Sequence, residues 1–254
     1  MTTTVTTTMT IKMNKTLKTL AFALTVSALT ASVANAADSV DTVKPDNLGE
    51  VASKAGFRTP KGSAVRLAEV GDLNGDQKND LIVMTTPSKA DFVGAASMSI
   101  YLNKGSSEKP RLDLVFSNNK LVKSYRDETA VDTASSKLDH TISINDPELK
   151  TEKTYGFRMK SQPPAALKTN EKIFELAWDK SGQQFNVIKL TDQASECTTA
   201  ESEVCKQSET IYDFRKQEIT RPDTTTCAFN KKVRTPTLEM LAAGQNLISG
   251  IECK

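Results

Sequence analysis

Oxygen-bearing side chains recur at alternate positions in Gly71-Asp72-Leu73-Asn74-Gly75-Asp76-Gln77-Lys78-Asn79-Asp80-Leu81-Ile82-Val83. Counted from Asp72, the residues Asp72, Asn74, Asp76 and Asp80 hold places one, three, five and nine. Lys78, at place seven, offers only its backbone carbonyl. Alternate residues of a tight loop can turn their side chains inward. Three carboxylates, one amide and one carbonyl then make an oxygen cage suited to calcium, a hard cation that takes several oxygens at once. An EF-hand would carry a Glu at place twelve between two helices. Here that place is Val83, inside an apolar strand. The alternative is a metal-free turn in which Asp and Asn side chains bond nearby amides.

Other residue types that do chemistry are sparse. His140 is the sole histidine, in Lys137-Leu138-Asp139-His140-Thr141, with no glycine-flanked nucleophile nearby. It reads as a surface or strand-end residue rather than a triad member. Cys197, Cys205, Cys227 and Cys253 all lie in the last quarter of the chain. An even number in an exported chain reads as two disulfides. Of the three pairings, Cys197–Cys205 and Cys227–Cys253 are favoured because each closes a local loop. A zinc site, the competing reading, lacks both the closely spaced Cys pairs and the set of histidines that such sites use. Carboxylates are plentiful enough for a glycosidase pair, but no two are singled out. Trp178 reads as a strand residue of the core, with an exposed carbohydrate or partner platform as the other reading. Arg215-Lys216 reads as a solvated turn, and Lys231, Lys232 and Arg234 as a charge-protected strand edge.

These residues must be positioned by short strands. Ala64 to Val70 precedes the acidic loop, and Leu81-Ile82-Val83-Met84 follows it as a run apolar enough for burial on both faces. Met98, Ile100 and Leu102 alternate with polar residues, as do Leu112, Leu114 and Phe116. Residues 85–96 read as a loop and 117–140 as a surface excursion. Ile142 and Ile144 mark a short strand, and Tyr155, Phe157 and Met159 another. Phe174, Leu176 and Trp178 share one face, turn at Asp179-Lys180-Ser181-Gly182, and return as Phe185, Val187, Ile188 and Leu190. Residues 192–208 read as a polar loop. Tyr212 and Phe214, a basic turn and Glu218 to Thr220 make a second hairpin. Asp46 or Asn47 caps a short helix ended by Gly56, and Thr235 with Pro236 opens another that stops at Gly244. The sum is a mainly β chain of antiparallel sheets, without a repeat period.

The acidic stretch resembles the FG-GAP and VCBS-type repeat of integrin α-chain propellers and many secreted bacterial proteins. The likeness rests on Ala68-Glu69-Val70-Gly71-Asp72-Leu73-Asn74-Gly75-Asp76, on Asp80-Leu81-Ile82-Val83, and on Ser97 to Gly105 with Ile100-Tyr101-Leu102-Asn103. It implies a calcium loop with Asp72, Asn74, Asp76, the Lys78 carbonyl and Asp80 as ligands. Two departures stand out. The family usually has Gly after the third ligand, where this chain has Gln77, strained if its φ is positive. The motif also occurs once, so the expectation is one blade-like unit at about residues 64–105, not a closed propeller.

Residues 1–36 read as a signal peptide with an N-terminal extension. Lys15 and Lys18 precede an apolar run from Leu20 to Ala31, and Val33-Ala34-Asn35-Ala36 invites cleavage after Ala36. Removing this segment takes away three lysines and no acid, so the 33 basic residues become 30 against 31 acidic ones. A net charge near −1 gives no electrostatic case for nucleic acid or anionic membrane. No span is expected in the mature chain. Residues 37–63 read as a flexible start with a short helix. Residues 64–254 read as a single β-rich domain with a disulfide-stabilised part at about 192–254. The resulting expectation is an exported calcium-stabilised binding or structural protein, periplasmic or secreted, with an unknown protein or glycan partner. The alternatives are an envelope-directed hydrolase using a carboxylate pair and a periplasmic enzyme inhibitor.

Overall fold

The structure, a computed structural model, describes residues 47–89, 92–126, 136–144, 154–161, 168–197 and 205–254. The expected signal peptide and cleavage site lie outside these residues. The chain is mainly β, as its alternating pattern predicts, and forms two antiparallel sheets that are each strict meanders. The first contains β1 (Ser63–Gly71), β2 (Asp80–Pro87), β3 (Gly94–Asn103), β4 (Leu112–Arg126) and β5 (Ser136–Leu138), in that order. The second runs in order from β6 (His140–Ser143) through β7 (Gly156–Ser161), β8 (Lys168–Asp179), β9 (Gln184–Cys197), β10 (Cys205–Asp213) and β11 (Glu218–Thr220) to β12 (Thr226–Ala228).

One core joins the sheets. Ile82, Met84, Met98, Ile100 and Phe116 from the first pack with Phe157, Met159, Phe174, Leu176 and Leu190 from the second. The other face of the first sheet is covered by α1 (Leu48–Lys54). Leu48, Val51, Ala52 and Ala55 recur at helical spacing and meet Ala68, Leu81 and Val83. This explains the unbroken apolar run of β2: Ile82 and Met84 serve one core while Leu81 and Val83 serve the other. Asn47 stands at the N-cap position of α1 without a side-chain capping bond. The helix ends at Gly56, whose φ is 92°. Gly56 N–H bonds to the Ser53 carbonyl and Phe57 N–H to the Ala52 carbonyl, both at 2.9 Å, a Schellman closure.

Several boundaries differ from the sequence reading. The expected loop over 85–96 shrinks, because β2 continues to Pro87 and β3 begins at Gly94. The expected excursion over 117–140 is largely strand in its described parts, with 127–135 lying outside the described residues. β4 runs to Arg126, with a bulge where Asn118 Oδ1 accepts the N–H groups of Lys120 and Leu121. That bulge shifts the phase, so Val122 is buried opposite Ala96 without continuing the earlier alternation. The described parts of the expected polar loop over 192–208 are ladder, since β9 and β10 pair from Lys189–Asp213 out to Cys197–Cys205, and 198–204 lie outside the described residues. These strand ends are polar on both faces, and their cross-strand contacts, such as Gln193 Nε2 donating to Glu209 Oε2, leave no apolar period to read. The second helix, α2 (Leu238–Ala242), starts at Thr237 rather than Thr235. The Pro236 carbonyl accepts the Val187 N–H at 2.8 Å and holds the preceding segment extended along β9. Thr237 Oγ1 then caps the helix through the Met240 N–H.

β1 is an edge strand, and Glu69 lies on its core side with Leu67, opposite Ile82. An inward charge on an edge discourages pairing with another chain. Burial holds the Glu69 carboxyl above its ordinary value. A raised carboxyl stabilises the fold below its unfolded value and loses that contribution as pH rises through the folded one. Glu69→Gln therefore raises the denaturant midpoint at neutral pH, and the gain vanishes below about pH 4. A gain of equal size at both pH values would contradict this account.

Candidate metal centre

The acidic stretch is the connection of the β1–β2 hairpin. Gly71 pairs with Asp80 as the last rung, and residues 72–79 form the loop between them. Leu73 anchors the loop, fully buried in the core that joins the sheets. Asp72 organises it: Oδ1 accepts the N–H groups of Asn74, Gly75 and Asp76 at 3.2, 2.7 and 3.2 Å, and Oδ2 accepts Gln77 N–H at 2.9 Å. Asn74 Oδ1 takes the Asp76 N–H at 2.9 Å, and Asp76 Oδ1 takes the Lys78 N–H at 3.1 Å.

Asp80 does a different job. It is fully buried, and its two oxygens accept from the Leu73 N–H at 2.9 Å and the Asn103 N–H at 2.8 Å. One carboxylate thus ties the start of the loop to the end of β3. Burial pushes the Asp80 carboxyl up to about 6; the two N–H bonds oppose this, and the charges of Asp76 and Asp72 add to it.

The expected ligands are therefore brought together in part. Asp72, Asp76 and Asp80 each present one oxygen, and the three lie within 4.8 Å of one another, close enough to hold a metal ion. Asn74 is buried beside them, and Lys78 enters the same turn through its backbone. Carboxylate oxygens carry more than one acceptor site, so the hydrogen bonds do not exhaust them. The amide bonds close the loop by themselves. What they leave uncompensated is three negative groups in one small volume, which a cation would neutralise.

Gln77 has a φ of 65°. A side chain with a Cβ is strained there by about 1 kcal/mol. The family to which this loop is likened places glycine at this point. Gln77→Gly should raise stability by up to about 1 kcal/mol, the relieved strain being offset by added unfolded-state freedom. A lower melting temperature for this variant would refute the strain argument.

Tyr155 is a participant that the sequence reading assigned elsewhere. Its spacing from Phe157 and Met159 suggests a shared buried face, yet it is 50% exposed, just ahead of β7. Its ring lies over Gly75, where an added Cβ would come within 2.8 Å of the aromatic carbons. Gly75 also has a φ of 79°, so glycine is required twice over. The only signal in the sequence was the glycine itself.

The remaining candidates take structural places. His140 opens β6, where the chain crosses from one sheet to the other, and its Nδ1 is 2.7 Å from Asp139 Oδ1. The same oxygen accepts the Lys123 N–H, so the pair fastens the crossing to β4. Cys227 and Cys253 form the expected disulfide, with Cα atoms 5.5 Å apart, tying the last residues to β12. Cys197 and Cys205 face each other as the last rung of β9–β10; their side chains lie outside the described residues. Trp178 is half-buried, its ring centroid 4.9 Å from that of Phe185.

No family model, curated protein or solved structure matches the chain.

Proposed function

We propose that this chain is a non-catalytic binding protein whose acidic hairpin holds a structural calcium ion. The observation that carries the reading is the convergence of Asp72, Asp76 and Asp80 oxygens within 4.8 Å on a loop anchored by Leu73. Calcium is preferred because every available donor is oxygen, with Asn74 and the Lys78 carbonyl completing the set. The ion would lock the β1–β2 connection against the end of β3. The likeness to FG-GAP and VCBS-type repeats supports the same assignment. The reading favours binding over catalysis because the loop carboxylates are committed to the turn and His140 to the sheet crossing.

The Cys227–Cys253 disulfide fits an oxidising compartment, in line with a periplasmic or secreted location. Among the described residues, no helix is long and apolar enough to cross a membrane. The test is thermal melting of the metal-stripped protein with and without calcium. A rise on adding calcium is expected, and an unchanged curve would end the metal assignment.

A further inference from the structure

An open cleft of about 770 Å³ lies against the acidic hairpin. Asn74 and Asp76 form one wall; the start of β4, with Leu114 and Val115, forms another; Trp178 and the β8–β9 turn close the third side. Its volume falls within the range of small-molecule sites. We infer that this cleft binds a short neutral oligosaccharide, with a sugar ring laid on Trp178 and its hydroxyls bonded to the polar rim. The inference rests on the reading of the chain as a binding protein and names the ligand class of its surface; it does not require the calcium ion.

Three features select this chemistry. The cleft is amphipathic. Leu114 is 55% exposed, and the half-buried indole of Trp178 is braced by Phe185, which fixes its orientation before any ligand arrives. A pyranose ring has the matching character, with an apolar face of C–H bonds and a polar edge of hydroxyls. Second, the rim has unspent hydrogen-bonding capacity. Among the described residues, no hydrogen bond or ion pair engages the side chains of Lys104, Asp113, Lys180 or Gln183, nor the indole N–H of Trp178. These groups include donors and acceptors together, as hydroxyls need. Third, the charges nearly balance. Lys104 and Lys180 face Asp113 and, in the metal-free protein, Asp76, so the cleft carries little net charge to select an ion. A peptide captured as an added strand would need an open backbone edge. Among the described residues the start of β4 has such an edge, because β5 meets β4 only from Ser124 to Arg126, so a peptide is the rival class that the test must exclude.

The turn is built to hold its position. Asp179 Oδ1 accepts both the N–H and the hydroxyl of Ser181, at 2.9 and 2.6 Å, and the Tyr155 carbonyl accepts the Trp178 N–H at 3.0 Å. Gln183, on the rim, has a φ of 49°, a strained position of the kind that clusters at ligand sites.

Trp178 is the only tryptophan in the chain, so intrinsic fluorescence reports on this cleft alone. The probes are tetrasaccharides of β-1,4-linked N-acetylglucosamine, β-1,4-linked glucose and α-1,4-linked glucose. Tetragalacturonate and an acidic peptide serve as contrasting classes. At least one neutral tetrasaccharide is expected to shift the emission saturably. Calorimetry should show affinity reduced about tenfold or more in Leu114→Arg, an exposed position that leaves folding intact, and at least as much in Trp178→Ala. The inference is overturned if no neutral probe binds, if binding survives both substitutions, or if only the anionic sugar or the peptide acts. Each titration is repeated in chelator. Sugar binding without any calcium effect on melting would retire the calcium reading and leave the cleft standing. A calcium effect without sugar binding would do the reverse.

Discussion

Asp80→Ala lowers the melting temperature of the metal-free protein by roughly 6–12 °C. Asp80 accepts from two buried donors, the N–H groups of Leu73 and Asn103. Stranding a buried donor costs about 1–3 kcal/mol, and two are stranded at once. Removing a buried carboxylate returns part of this, because burial already disfavours its charged form. A net loss of roughly 3 kcal/mol remains. Asp80→Asn keeps one acceptor and should fall between the wild type and Asp80→Ala. The measurement is thermal or denaturant unfolding in chelator. An Asp80→Ala variant that melts within about 2 °C of wild type would show that Asp80 does not tie the hairpin to β3.

Calcium at about a hundred times its dissociation constant adds about 2.7 kcal/mol of stability, a rise of roughly 5–10 °C for a chain of this length. Asp76→Ala should abolish that rise while scarcely changing the metal-free melting temperature. Asp76 is exposed, and its carboxylate accepts the Lys78 N–H in a bond that is open to solvent. The contrast with Asp80 separates two roles of chemically identical residues. Asp80 matters with or without metal; Asp76 matters only with it. A calcium rise that persists in Asp76→Ala would place the ion elsewhere, and loss of metal-free stability in that variant would make Asp76 a turn-forming residue.

Much of this was legible locally. The half-buried strands around Met98, Phe157 and Leu176 were readable because each has one face in the shared core, which imposes a period of two. Both helix ends were readable at Gly56 and Gly244, since each requires a left-handed residue. The end of β4 and the outer ladder of β9–β10 were not. A bulge reset the phase in the first, and the second is polar on both faces, so neither leaves a periodic trace. Missing the start of α2 had another cause. Pro236 is a good first helical residue, but its carbonyl is bonded to Val187 on a distant strand, and that long-range bond holds the segment extended.

The acidic hairpin shows where the division falls. By itself, the sequence determined which oxygens the loop could offer, because alternate spacing in a short turn is a local property from Asp72 to Asp80. It also determined that a mainly β scaffold would flank the loop. The tertiary structure alone decided that Asp80 would be buried under Asn103, that Tyr155 would lie over Gly75, and that Trp178 would border the same cleft as Asp76. Those neighbours come from β3, from the residue just before β7 and from β8, up to about a hundred residues away in the chain. Only the packing of two sheets on one core brings them together, and no local pattern encodes a contact made across that core.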